Sequence, residues 1–72
     1  STAIEDEDLA SISQLPNLRY LNLVGTKVTD KSISTLSSMK ALQEVYLWDS
    51  KVTPAGAKRL RQAAPSLKVI HR

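Results

Sequence analysis

Seventy-two residues allow one domain, and a core of this size rarely supplies more than about 3–5 kcal/mol unless something staples it. With no cysteine and one histidine, His71, the chain has no disulfide, no thiolate zinc site and no cluster of metal ligands at the usual spacing. The net charge of +3 is split unevenly: residues 1–17 hold Glu5, Asp6, Glu7 and Asp8 with no base, and residues 50–72 hold Lys51, Lys58, Arg59, Arg61, Lys68 and Arg72 with no acid.

Spacings near three and four between apolar residues predict a first helix over 6–14, closed by Pro16, whose ring forbids the next helical hydrogen bond. Leu18, Leu21 and Leu23 end in strict alternation, the pattern of a short strand with one face packed inward. A second helix is expected over 30–38, starting from Thr29, and a second strand through Leu42, Val45 and Leu47. A third helix is expected over 54–64. Thr53 can cap its orphan amides, Pro54 lacks a donor at the first helical position, and Pro65 ends it. Leu67 and Ile70 predict a third strand. No run reaches the roughly 18 apolar residues of a membrane span, and the acidic start is opposite in charge to a secretory signal.

These elements repeat. Leu18, Leu21, Leu23, Thr26, Val28, Thr29 and Leu36 return 24 residues later as Leu42, Val45, Leu47, Ser50, Val52, Thr53 and Leu60. Backwards, Thr2, Ile4, Asp6, Leu9, Ile12 and Leu15 stand one period before Thr26, Val28, Asp30, Ile33, Leu36 and Met39, so the chain is expected to open halfway through a unit of a longer array. Forwards, Leu67 and Ile70 follow Leu42 and Val45 at an offset of 25, which implies one inserted residue. The units are then a half repeat over 1–17, repeats over 18–41 and 42–66, and a terminal strand over 67–72. Such a unit cannot bury its apolar face alone and must stack on neighbours, turning the charge asymmetry into a dipole along the stack. The expected class is α/β, order α-β-α-β-α-β. Right-handed crossovers between parallel strands would bury Leu9, Ile12, Leu15, Leu21, Leu23, Ile33, Leu36, Val45, Leu47, Leu60 and Ile70. A small doubly wound sheet is the competing topology.

The pattern Leu18-x-x-Leu21-x-Leu23-x-x-Thr26-x-Val28-Thr29-Asp30, followed by Leu42-x-x-Val45-x-Leu47-x-x-Ser50-x-Val52-Thr53-Pro54, resembles the leucine-rich repeat family over almost the whole chain. The nearest variety has a helix on the convex side and occurs in bacterial proteins and in substrate adaptors. The resemblance implies a right-handed solenoid with a three-stranded parallel sheet on its concave side, a protein-recognition role, and an exported or periplasmic bacterial location. Thr26 and Ser50 stand where the family prefers asparagine or cysteine, so a looser ladder is expected there.

If the leucines point inward, alternation sends Tyr20, Asn22 and Val24, then Glu44, Tyr46 and Trp48, then Val69 and His71 onto the concave surface. All three aromatics of the chain fall in this set and none in the expected core. Aromatic anchors beside polar groups on a rigid sheet are the composition of a binding hot spot, so Tyr20, Asn22, Glu44, Tyr46, Trp48 and His71 form the candidate partner-binding face. The same aromatics also cover the sheet, since cross-strand pairs contribute about 0.2–1 kcal/mol each. The partner is expected to be a protein, with no catalysis, metal or cofactor.

Three other features carry less. Consecutive carboxylates at 5–8 fan around a helix, where they suit its positive start better than a cation. The basic end keeps weak nucleic-acid binding open, although its helical bases lie on the layer opposite Trp48. An unpaired edge on the first strand would be a template for self-association. Gly25 is expected in the turn leaving the first strand, and Gly56 where one helix passes close to its neighbour.

Overall fold

The computed structural model describes residues 4–71; Thr2 and Arg72, which enter the repeat and the basic end above, lie outside them. The elements are α1 (Asp6–Ile12), β1 (Tyr20–Asn22), a 3-10 turn (Asp30–Ser32) running into α2 (Ile33–Ser37), β2 (Glu44–Tyr46), α3 (Pro54–Ala63) and β3 (Lys68–Ile70). All three strands are parallel in the order β1-β2-β3. Tyr20, Glu44 and Lys68 stand side by side, as do Leu21, Val45 and Val69, and Asn22, Tyr46 and Ile70. The 24-residue sequence period is thus the strand register, and helices cover one face of the sheet.

Local chemistry sets the ends. Thr53 caps α3 by accepting the Gly56 amide at 3.1 Å, with Pro54 in the first turn. Thr29 accepts the Lys31 amide at 3.2 Å, and that helix opens with a 3-10 turn. Beyond the strands, successive segments stay joined: the Lys27 amide donates to the Ile4 carbonyl and the Lys51 amide to the Val28 carbonyl, both at 2.9 Å. Within each strand exit, the Thr26 hydroxyl donates to the Leu23 carbonyl at 2.8 Å and accepts the Val28 amide at 3.4 Å. Ser50 repeats this with Leu47 at 2.6 Å and Val52 at 3.3 Å. Each hydroxyl closes its own turn, so the short side chain suffices locally.

One cluster between the layers contains Leu9, Leu21, Leu23, Val28, Ile33, Leu36, Met39, Leu42, Val45, Leu47, Val52, Ala57, Leu60, Leu67 and Val69. Burying a leucine or valine contributes about 1.5–3 kcal/mol, which makes this row the main source of stability.

Four expected core positions or facings change. Leu15 is 55 % exposed, carried out of the core where the chain turns into Pro16. Ile12 is half-buried, packed at the edge of the core, and Ile70 is half-buried on the opposite face of the sheet, beside Tyr46. Val69, expected outward, is buried at 7 %. The expected insertion is not there: Leu60 and Val69 stand 24 residues after Leu36 and Val45, and only the turn leucine moves by one place, the Leu67 amide bonding the Ala64 carbonyl at 3.0 Å. The strand itself therefore keeps the 24-residue register, and a one-residue slip in expectation reverses every side chain on it.

Candidate functional site

The uncovered face of the sheet is built from the positions that alternate with the core. Its first row is Tyr20, Glu44 and Lys68, its second Asn22, Tyr46 and Ile70. Tyr20 is 58 % exposed, and Trp48, two residues beyond Tyr46, is 49 % exposed. The short strands hold Tyr20, Tyr46, Glu44 and Lys68 on one face, so an exposed ring and a half-exposed one share a surface with an acid and a base, while exposed Trp48 lies in the turn after β2.

Polar bonds fix two of them. The Tyr46 hydroxyl donates to Glu44 Oε1 at 2.5 Å. That bond, reinforced by the carboxylate charge, pushes the Tyr46 phenol above its ordinary value of 10.0. Asn22 folds back along its strand, its Oδ1 accepting the Val24 amide at 3.0 Å. Trp48 is placed by the turn that follows it: its carbonyl accepts the Gly25 amide at 3.2 Å, and Asp49 takes a left-handed φ of 59° where Gly25 has 73°.

The structure brings Tyr20, Asn22, Glu44 and Tyr46 together, with Trp48 at their margin. His71 is placed elsewhere. It follows Ile70 on the alternation, at the place 24 residues after buried Leu47, and its half-buried ring sets Nε2 2.8 Å from the Val52 carbonyl. Lys68 and Ile70 take the outward places expected for Val69 and His71. Counting 24 residues from Glu44 and Tyr46 would have found both; the leucine-like spacing of Leu67 and Ile70 drew attention instead.

A second constellation joins the helix starts. Asp6 accepts the Thr29 amide at 2.8 Å, the Thr29 hydroxyl at 2.5 Å and the Ser32 hydroxyl at 2.6 Å. Partial burial opposes its ionisation, but the Ser32 bond, then the two Thr29 bonds and the Lys31 charge, hold its pKa below the ordinary value. Asp30 accepts the Thr53 amide at 2.8 Å and hydroxyl at 2.5 Å. The hydroxyl bond first and the amide second lower its pKa, helped by the charges of Arg59 and His71. Asp8 instead caps its own helix, accepting the Glu5 amide at 2.8 Å. Part of the acidic run therefore ties neighbouring segments together.

The bases are similarly dispersed: Arg59 pairs with Asp30 at 3.6 Å, Arg61 bonds the Val69 carbonyl at 3.2 Å, and Lys68 joins the open face. Grooves of about 230 and 200 Å³ open at the turns between helices and strands, lined by Leu15, Pro16, Leu18 and Met39 and by Met39, Leu42, Pro65 and Leu67. Among the described residues, Lys40 is the one ionisable side chain lining either. Among the described residues no helix is long and apolar enough to cross a membrane. No family model matches the chain, and no curated protein matches it either.

Proposed function

We propose that the chain is part of a leucine-rich repeat solenoid, non-enzymatic, whose concave aromatic face binds a protein partner. The observation that carries this reading is the segregation within single strands. Leu21, Val45 and Val69 are buried, while Tyr20 and Tyr46, one residue away, face out, and Trp48, two residues beyond Tyr46, is exposed. Aromatics contribute little to the core of this chain, and their placement on a rigid sheet suits a contact surface. Glu44 and Lys68 give that surface one acid and one base at which a partner can be oriented.

The test is capture of binding proteins from source-cell lysate by the immobilised wild type and by a Tyr20→Ala/Trp48→Ala chain of equal helicity. A protein retained by the wild type and weakened on the order of tenfold or more by the double substitution supports the reading, as hot-spot truncations cost about 2 kcal/mol or more. Retention unchanged in the double variant, or lost instead on substituting Lys58 of α3, contradicts it.

A second reading, that the segment ends or spaces an array and has no partner of its own, is favoured by a separate observation. The helix-start carboxylates Asp6 and Asp30 are followed, one period on, by Pro54. A face that resists substitution without loss of any captured protein would favour this reading over the first.

A further inference from the structure

At the β3 end, three side chains occupy places where earlier segments present groups to their successors. In the sheet, the Lys68 amide donates to Gln43 at 2.9 Å and the Ile70 carbonyl accepts from Leu47 at 2.7 Å, so both residues address β2. Alternation then puts the amide and carbonyl of Val69 on the outer edge. Arg61, reaching across from α3, donates to that Val69 carbonyl at 3.2 Å. In the loops, the Ile4 and Val28 carbonyls each accept an amide from the following segment, Lys27 and Lys51. The next carbonyl in that series, Val52, is taken by the His71 ring at 2.8 Å. At the helix starts, Asp6 and Asp30 hold Thr29 and Thr53, and the corresponding Pro54 has no carboxylate to offer.

We propose that Pro54, Arg61 and His71 together form a stop that closes the β3 end of the sheet against a further 24-residue unit or a second copy of this chain. The inference rests on the second reading above and gives it a mechanism. An open strand edge is a template for another chain, and natural sheets blunt such edges with charged side chains and proline. Arg61 supplies a charge and also occupies the acceptor that an incoming strand would need. A carbonyl can only accept, so His71 carries a proton on Nε2 and occupies at Val52 the acceptor that Ile4 and Val28 offer to the amides of Lys27 and Lys51. Pro54 removes the anion that would hold the threonine of a following helix. The three act in the sheet, the connecting loop and the helix layer, so a successor would find its partner groups taken or absent in each. The outer edge of β1 is furnished differently, with Asn22 satisfying the Val24 amide and exposed Tyr20 beside it.

Nitrogen-15 NMR on the full chain reads the first element directly. The stop predicts a His71 ring with a proton on Nε2, visible at neutral pH and coupled across the hydrogen bond to the Val52 carbonyl; an Nε2 without a proton, or a ring proton lost to fast exchange, overturns it. Sedimentation velocity on a Pro54→Asp/Arg61→Gln/His71→Leu chain reads the consequence. Self-association should tighten on the order of tenfold or more relative to the wild type, with the Val69 amide gaining protection from exchange as concentration rises. An unchanged dissociation constant, or association that leaves the Val69 amide exposed, overturns the proposal. Arg61→Gln alone, at an exposed position, carries the same test if the triple variant unfolds, with a smaller shift in the same direction. These measurements read the β3 edge only. The stop can fail while the absence of a partner on the aromatic face still stands, and the reverse.

Discussion

In the turn that enters α2, the Asp6 carboxylate receives three donors, the amide and hydroxyl of Thr29 and the hydroxyl of Ser32; in the turn that enters α3, Asp30 receives two, both from Thr53. The third place, one period after Ser32, is Gly56. There an added Cβ would stand 2.5 Å from the Asp30 carboxyl carbon, so the helix closes on the carboxylate where a hydroxyl reaches it in the earlier turn. Asp30 gains the Arg59 guanidinium at 3.6 Å in exchange. The comparison teaches that the threonine clamp is the recurring part of the junction, and that its third partner can be a buried hydroxyl or a solvent-facing charge.

Removing the clamps should separate the two junctions most clearly. Asp6→Ala strands the buried Ser32 hydroxyl as well as both Thr29 donors and should cost about 3 kcal/mol, while Asp30→Ala, more open to water, should cost about 2 kcal/mol in urea unfolding. Both carboxyls titrate below their ordinary 3.8 in the folded chain. Their contribution is therefore fully present above that value and lost as pH falls through the lowered folded values. An Asp6→Asn/Asp30→Asn chain should be flatter across that acid window than the wild type, and equal slopes would break the comparison.

The third place gives the next effect. Gly56→Ala should cost about 1–3 kcal/mol because the Asp30 carboxylate must move off Thr53. Gly56→Ser restores the donor that Ser32 supplies to Asp6 and should recover about 1 kcal/mol of that loss. Thermal melts that rank serine below alanine would show that the two turns are not equivalent. The smallest effect is in the strand exits: Asp49→Gly, at φ 59°, should stabilise by about 0.5–1 kcal/mol by matching Gly25, whereas Gly25→Ala should destabilise.

Much of this was legible in the sequence because it is local. The Thr53–Pro54 start, the left-handed Gly25 and the tight approach at Gly56 each follow from one residue's own chemistry. The period predicted β1 and β2 with their inward leucines, since strict alternation leaves one consistent facing. The third strand was not legible from its apolar residues: Leu67 and Ile70 fit an inward spacing, yet the strand keeps the 24-residue register and Val69 goes inside. The reach of Asp6 to Thr29 and Ser32 was hidden for another reason. It spans 23 and 26 residues between two helix starts, while the local signal of an acidic first turn explains the same carboxylate equally well.

The central claim is that neighbouring positions along the β2 segment and the turn that follows divide between a buried leucine core and an exposed aromatic side. Urea unfolding of Leu47→Ala beside Trp48→Ala tests it most directly. The account predicts a loss on the order of 2–5 kcal/mol for the leucine and under about 1 kcal/mol for the tryptophan. Equal losses from the two would place the indole in the core and contradict the account.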